Sequence, residues 1–285
     1  MPLFLGAGFC LGAMDALAKL TIPLLGVFAV VWARYVSQAI VVAAWAWRRG
    51  GPGFWRTRHP ALQLGRSTLL LTATGCFYAA LRYLPLAEAS AISFVSPVVV
   101  VLLAPWLLGE RTRRSQLVAA AAGFAGVLIV LRPGGSVFHP AALLLFGTAA
   151  CVALYVLLTR KVPHDAPHTT LFYSSVAGVV VLTPLAPWFA GGDVWTPANA
   201  LRLGLLGLLG GLGHGFVTVA YLRAPAAMLA PYTYVQVLWA TGWGWIFFGQ
   251  LPDAVSFAGM AVIVASGVAL AWQERRRALA IATVP

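Results

Sequence analysis

Ten stretches of the chain stay apolar long enough to cross a bilayer as helices, at about 20 residues per crossing. They cover approximately 3–20, 24–47, 66–83, 86–108, 116–132, 140–159, 170–189, 200–222, 226–248 and 254–272. The intervening segments are short and rich in Gly, Pro and Arg: RRGGPGFWRTRHP, ERTRRSQ, RPGGSVFHP, RKVPHDAPH and AGGDVWTP. None is long enough to hold a soluble domain. The pattern predicts an all-α membrane protein of ten transmembrane helices.

Composition agrees. Of 285 residues, 61% are hydrophobic and 9% charged, whereas soluble domains carry about 25% charged residues. The net charge of +12 would suggest nucleic acid in a soluble protein, but its placement gives another reason. With the N-terminus inside, Arg48, Arg49, Arg56, Arg58, Arg66, Arg111, Arg113, Arg114, Arg160, Lys161, Arg223, Arg275, Arg276 and Arg277 fall on the inner side, 14 of the 19 basic residues. Lys19, Arg82, Arg132 and Arg202 fall outside, and Arg34 lies within a span. That bias predicts N-in, C-in topology, with anionic lipid head groups as neighbours of the basic loops and no nucleic-acid partner. The N-terminus lacks a basic leader and a cleavage site, so the first run is expected to be retained. Cys10, Cys76 and Cys151 lie in apolar runs at no ligand or disulfide spacing and read as small core residues.

The chain also repeats itself. Shifted by about 140 residues, ALRYLPLA (80–87) falls on AYLRAPAA (220–227), matching Pro85 to Pro225. WLLGER (106–111) falls on IFFGQL (246–251), matching Gly109 to Gly249. Each half holds five spans. Five is odd, so the second copy must enter the membrane from the opposite side, as in many secondary transporters.

Four segments resemble a known family. AEASAISFVSPVVVVLLAPWLLGERTRRSQLVAAAAGFAGVLIVLRPG is similar to the signature end of an EamA domain of the drug/metabolite transporter superfamily. APAAMLAPYTYVQVLWATGWGWIFFGQLPDAVSFAGMAVIVASGVAL is similar to its partner copy, and GFCLGAMDALAKL with VFAVVWARYVSQAIV resembles the first two helices. The resemblance implies two inverted five-helix repeats, residues 1–135 and 136–285, around a central cavity in a bacterial inner membrane. It points toward branches associated with S-adenosylmethionine or riboflavin uptake and with metabolite or amino-acid export. One departure is Gln250, where the family often has Glu.

Polar residues inside the spans are the candidate chemistry, because an ionisable group in hydrocarbon costs about 2.5–3.5 kcal/mol on insertion scales. Asp15 and Lys19 are four apart on one helix face, in the favourable acid-before-base order. Arg34 lies about 15 Å into the second span at 1.5 Å per residue. These three form either a fixed ion pair between the first two helices or a gate or substrate-charge site. Glu88 is either an interfacial acid near Arg82 or a cavity acid for a cation or proton. Ser93 and Ser96 sit beside Pro97, which leaves a carbonyl free and predicts a kink facing a wet cavity; the hydroxyls can also bond back to their own helix.

Tyr232, Gln236, Trp239 and Trp243 follow one helical stripe, with Tyr234 alongside. The stripe suits either a flat solute or packing between helices. Gly207, Gly211 and Gly215 recur every four residues and predict close helix approach. His214 beside them is a packing residue or a titratable cavity group. Tyr78, Phe77 and Thr74 are weaker cavity candidates. His164 and His168 lack further ligands, so no metal is expected.

No hydrolase, zinc-protease, P-loop or dinucleotide motif occurs. The expected function is therefore non-enzymatic and cofactor-free: a secondary transporter of a small organic metabolite, working by alternating access. A ring-bearing solute such as S-adenosylmethionine, riboflavin or an aromatic amino acid fits the aromatic stripe. A membrane-embedded transferase or sensor, or a passive channel, remains open, as do proton coupling and a monomer against a homodimer.

Overall fold

The computed structural model describes residues 2–109, 112–132, 139–161, 165–189, 191, 196–223 and 235–282. The described residues are helical, without strands. The helices are α1 (Pro2–Gly50), α2 (Pro60–Ala80), α3 (Leu86–Ser93), α4 (Ser96–Leu108), α5 (Arg114–Leu131) and α6 (Ala142–Arg160). They continue as α7 (Pro167–Leu182), α8 (Ala186–Phe189), α9 (Pro197–Arg223), α10 (Val235–Phe248) and α11 (Ala254–Ala282). Among the described residues, six helices are long and apolar enough to cross a membrane.

The first two apolar runs form one element, because no polar gap separates them. Its 49 residues break at Gly26, which adopts φ 78°, ψ 162°. Left-handed φ favours glycine, so this one residue turns the chain without a loop. Residues 2–25 and 27–50 form two limbs, each about 36 Å long at 1.5 Å per residue.

Contacts with α9 show how the limbs run. A Cβ at Gly213 would meet Leu11 at 2.7 Å, and one at Gly210 would meet Met14 at 3.1 Å. Numbers rise on the first limb as they fall on α9, so the two are antiparallel. On the second limb Ser37 abuts Gly207 and Val41 lies 3.1 Å from a Cβ at Gly211, a parallel register. The limbs are therefore antiparallel to each other, folded back at Gly26. The close approaches belong to Gly207, Gly210, Gly211 and Gly213. Gly215, expected in the stripe, has open space around it.

The same reading orders other pairs. Gly123 meets Ser266, Gly126 meets Ile263, and Gly259 meets Val130. The residue sums are constant, so α5 and α11 cross antiparallel, backbone on backbone: a Cβ at Gly126 would sit 2.7 Å from the Gly259 carbonyl. The first limb runs parallel to α10, with Gly8 on Trp239 and Gly12 on Trp243.

The run 86–108 is two helices. The α3 helix ends at Ser93, and Pro97 opens α4 within its first turn, where its missing N–H costs nothing. The kink expected from Pro97 is a two-residue turn at Phe94 and Val95, bonded to Ala91 and Ile92, within one span. Both landmark glycines are left-handed caps: Gly109 has φ 68° and donates to the Pro105 carbonyl at 3.1 Å, and Gly249 has φ 62° and donates to Trp245 at 2.9 Å. A continuous core of small and branched side chains joins both limbs of α1 to α2, α3, α5, α6, α9 and α10.

Candidate functional site

Three polar clusters lie along the bundle, one in the interior and one toward each end. The interior cluster is built on the α1 hairpin. Arg34, on the second limb, is 5% exposed, and Asp15, on the first, is 7% exposed. Arg34 donates from Nη1 to Thr74 Oγ1 at 3.0 Å, and Tyr35 shares the same hydroxyl at 3.0 Å. The guanidinium carbon lies 5.4 Å from the ring centroids of both Tyr35 and Tyr78. Asp15 and His214 are within Coulombic range of it. Arg34 Nε is buried without a hydrogen bond, while the Tyr78 hydroxyl lies between the Asp15 carboxyl and the Arg34 guanidinium and interacts with both. Between described residues, the contact ion pair is Arg132–Asp253, elsewhere in the bundle.

One end is closed around α5 and the start of α11. Arg132, the α5 cap, pairs with Asp253 and donates to Ser256 Oγ at 3.4 Å. Ser256 donates onward to Glu88 Oε1 at 3.3 Å. The Arg132 hydrogen bond and the Ser256 amide hold the Asp253 carboxyl well below the usual carboxylate range. Lys19 donates to the Leu84 carbonyl at 2.5 Å and to Gln250 Oε1 at 3.4 Å, with Phe248 under its ammonium at 5.2 Å. Glu88, Arg132, His139, Asp253 and Ser256 line a cavity of about 40 Å³ here, room for a water or two.

The other end is closed around Arg66, 1% exposed near the start of α2. It donates to Thr159 Oγ1 (2.9 Å), Gln63 Oε1 (2.7 Å), the Thr170 carbonyl (3.2 Å) and the Tyr155 hydroxyl (2.9 Å), and stacks 4.6 Å from the Tyr155 ring. Gln63 donates to Asp165 Oδ2 at 2.8 Å, and Thr57 donates to the same oxygen. Burial would raise the Asp165 carboxyl, but bonds from Thr57, Gln63 and the Arg58 amide outweigh it and hold the group low. Ser67 adds a bond to the Tyr173 carbonyl at 2.5 Å.

Asp15, Arg34 and Tyr78 thus share one cluster, with Thr74 and His214. Lys19 is four residues from Asp15 but bonds away from it, toward Leu84 and Gln250. Glu88 sits with Ser256 and within Coulombic range of Lys19 and Arg132 rather than beside Arg82. Ser93 bonds back to the Ala89 carbonyl at 2.9 Å, and Ser96 opens α4. Trp239 packs edge-on to Phe9 at 5.1 Å, and Trp243 stacks on Phe247 at 5.5 Å, each with a buried Nε1 lacking an acceptor. Gln236 is half-buried and close to Gly8. Tyr232 and Tyr234 lie outside the described residues. Arg66, counted with the inner-loop charges, is the residue the sequence pattern missed: it stands at the edge of an apolar run, where charge reads as solvated.

The EamA-like transporter family matches residues 1–132 and again residues 139–272. The chain belongs to this family. Arg132 and Glu88 therefore bond across to the second match, and so do Gln63 and Arg66. The chain is 29% identical over 273 residues to the pseudopaline exporter of Pseudomonas aeruginosa, covering 93% of each. It is 31% identical over 234 residues to the riboflavin transporter of Rhizobium johnstonii, covering 81% of this chain and 76% of that one. It is 25% identical over 268 residues to the S-adenosylmethionine uptake transporter of Rickettsia felis, covering 93% and 89%. One solved crystal structure aligns over 95% of this chain and 96% of its own with TM-score 0.67 and 21% identity, a likeness of fold. Family membership and the apolar helices make this a multi-pass membrane protein of transporter type.

Proposed function

We propose that the chain is a secondary transporter carrying a small organic metabolite across the inner membrane by alternating access. In this reading it makes ten crossings, as two oppositely threaded five-helix repeats (1–135 and 136–285), with both termini cytoplasmic. The antiparallel α5–α11 pair and the matched caps at Gly109 and Gly249 support inversion, since these are equivalent elements of the two family matches. The two limbs of α1 supply the first two crossings.

The observation that carries the proposal is the order of the clusters. A buried, incompletely bonded polar site lies between two closures, and each closure joins the first repeat to the second. Releasing the Arg66 closure opens the site to the cytoplasm, and releasing the Arg132–Asp253 closure opens it outward. Relatives named for pseudopaline, riboflavin and S-adenosylmethionine support an organic substrate. Trp239, Gln236, Tyr232 and Tyr234 remain the candidates for contact with its ring. Glu88 serves the outer closure, and Ser93 and Ser96 flank the turn between α3 and α4.

The test is counterflow in proteoliposomes. Saturable exchange of a loaded metabolite against its labelled form is expected. Chemical conversion without accumulation would indicate a transferase, and unsaturable flux without exchange a channel.

A further inference from the structure

A cavity of about 670 Å³ lies apart from the three polar clusters, far larger than the 40 Å³ beside Glu88. Its walls come from residues 25–28 at the α1 bend, from Leu71, Gly75 and Ala79 on α2, and from α6, α7 and α8. Apart from Arg82 and Tyr83, every residue lining it is apolar. Phe28 and Leu144 are exposed at its edge, so it is a groove open sideways, where a bilayer lies. A Cβ added at Gly75 or at Gly26 would meet nothing within 4 Å, so the space reaches down to the backbone.

The groove has the depth of one leaflet. Leu71 and Arg82 mark its extent along α2 and the turn that follows, a run of about 16 Å at 1.5 Å per residue. Half of a hydrocarbon core of about 30 Å is about 15 Å. Charge sits at one end only. Arg82 is exposed there, with its guanidinium carbon 5.9 Å from the Tyr83 ring centroid, and Tyr83 stacks on His139 at 4.8 Å. Among the described residues the contact ion pair is Arg132–Asp253, so no acid of the protein neutralises Arg82 at contact. A cation and a tyrosine together at the end of a span stand at head-group level.

We infer that this groove is a binding site for one anionic phospholipid, with an acyl chain along the apolar walls and the phosphate on Arg82. The site is separate from the transport reading and does not depend on it. An acyl chain fills apolar space that water would leave dry. The phosphate supplies the acceptor that Arg82 does not find in the protein, in the geometry a guanidinium prefers. A zwitterionic head group brings the same phosphate with an ammonium that Arg82 repels, so the site favours a lipid of net negative charge. Residues 25–83 of the lining belong to the first family match, and Leu144, Leu182 and Phe189 to the second. The bound chain therefore lies across the seam between them.

Native mass spectrometry of the full chain tests this by competing phosphatidylglycerol against phosphatidylethanolamine with identical acyl chains. One phosphatidylglycerol should be held with a preference of about fivefold, the factor that about 1 kcal/mol gives and the scale for one cation beside anionic lipid. Arg82→Gln should bring the two lipids to parity at this site while a lipid stays bound. Arg56→Gln, an exposed cation at the other end, should leave the preference unchanged, which separates the groove from general attraction to basic loops. Gly75→Phe places a ring in the open space and should remove that one lipid whatever its head group. Ala79→Leu fills the same groove from the next turn, and the melting temperature in detergent reports whether each variant folds. Equal retention of both lipids by the unaltered protein, an unchanged preference in Arg82→Gln, or a lipid kept by folded groove-filling variants overturns the inference. So does a lipid-free dimer that Gly75→Phe converts to monomer, which gives the groove to a second copy of the chain.

Discussion

Replacing Arg66 by Met tests the proposed closure at the Arg66 end, because the hydrogen bonds around it differ in what replaces them. Thr159 also donates to the Tyr155 carbonyl, Tyr155 also meets Ser174, and the Thr170 carbonyl also accepts from Ser174. Those three groups keep a partner when the guanidinium is gone. Gln63 Oε1, at 2.7 Å from Arg66, accepts from the guanidinium and is left buried without it. A stranded acceptor costs about 1–3 kcal/mol and lost bonds to a charged donor about 1.5–3 each, against which the relief of guanidinium desolvation must be set. A net loss of about 2–3 kcal/mol from the closed state shifts its equilibrium by about 30–150-fold. The reporter is Ser175→Cys in a background without Cys10, Cys76 and Cys151. Ser175 is fully buried and its hydroxyl makes no hydrogen bond, so the exchange removes none. Labelling by a charged thiol reagent from the cytoplasmic face should accelerate by that factor in Arg66→Met. Arg66→Lys should recover part of the difference, since an ammonium reaches Gln63 but cannot reproduce the fork. An unchanged labelling rate in Arg66→Met, with folding intact, would refute the assignment of this network as a closure.

Gly126→Ala puts a methyl 2.7 Å from the Gly259 carbonyl and 3.0 Å from the Ile263 amide; backbone cannot yield, so a loss of about 1–3 kcal/mol is expected, seen as a lower melting temperature. Gly215→Ala, with open space around it, should be neutral or up to about 1 kcal/mol stabilising; equal effects at both sites would contradict the α5–α11 register. Gln250→Glu places a carboxylate near Lys19, a gain of up to about 1 kcal/mol for a partly exposed pair; counterflow should slow, and a faster rate would count against the outer closure. Asp165 and Asp253 are held low by their hydrogen bonds, so their contribution is complete above the free-Asp value of about 3.9 and is lost as pH falls through the depressed values. Melting temperature should therefore lose nothing from these groups between pH 7 and 5, and Asp253→Asn should flatten the acid limb below about pH 4.

The apolar runs were legible because a bilayer demands about 20 apolar residues per crossing and little else looks like that. What joined or broke them was not. Gly26 turns the chain with φ rather than with polar residues, so two runs became one element, and Pro97 marked a kink whose extent depended on α4 starting there. The buried Asp15–Arg34–Tyr78 cluster was readable in part, since charge inside a span asks for a partner. Arg66 was not, since four of its acceptors come from side chains and backbone scattered over α2, α6 and α7. Helical spacing places Lys19 with Asp15, yet its ammonium bonds off the helix, to Leu84 and Gln250. The glycine stripe was read with a period of four, whereas the two α1 limbs select Gly210 and Gly213 as well as Gly207 and Gly211.

Single-molecule fluorescence transfer at both ends of one protein tests alternating closure most directly. Dye pairs belong on exposed positions, Arg56 with Lys161 at the Arg66 end and Tyr83 with Val255 at the Arg132 end. During substrate exchange the two distances should change in opposition, one pair separating only while the other is close. Molecules with both pairs separated at once, or with neither changing during measured exchange, would contradict the account.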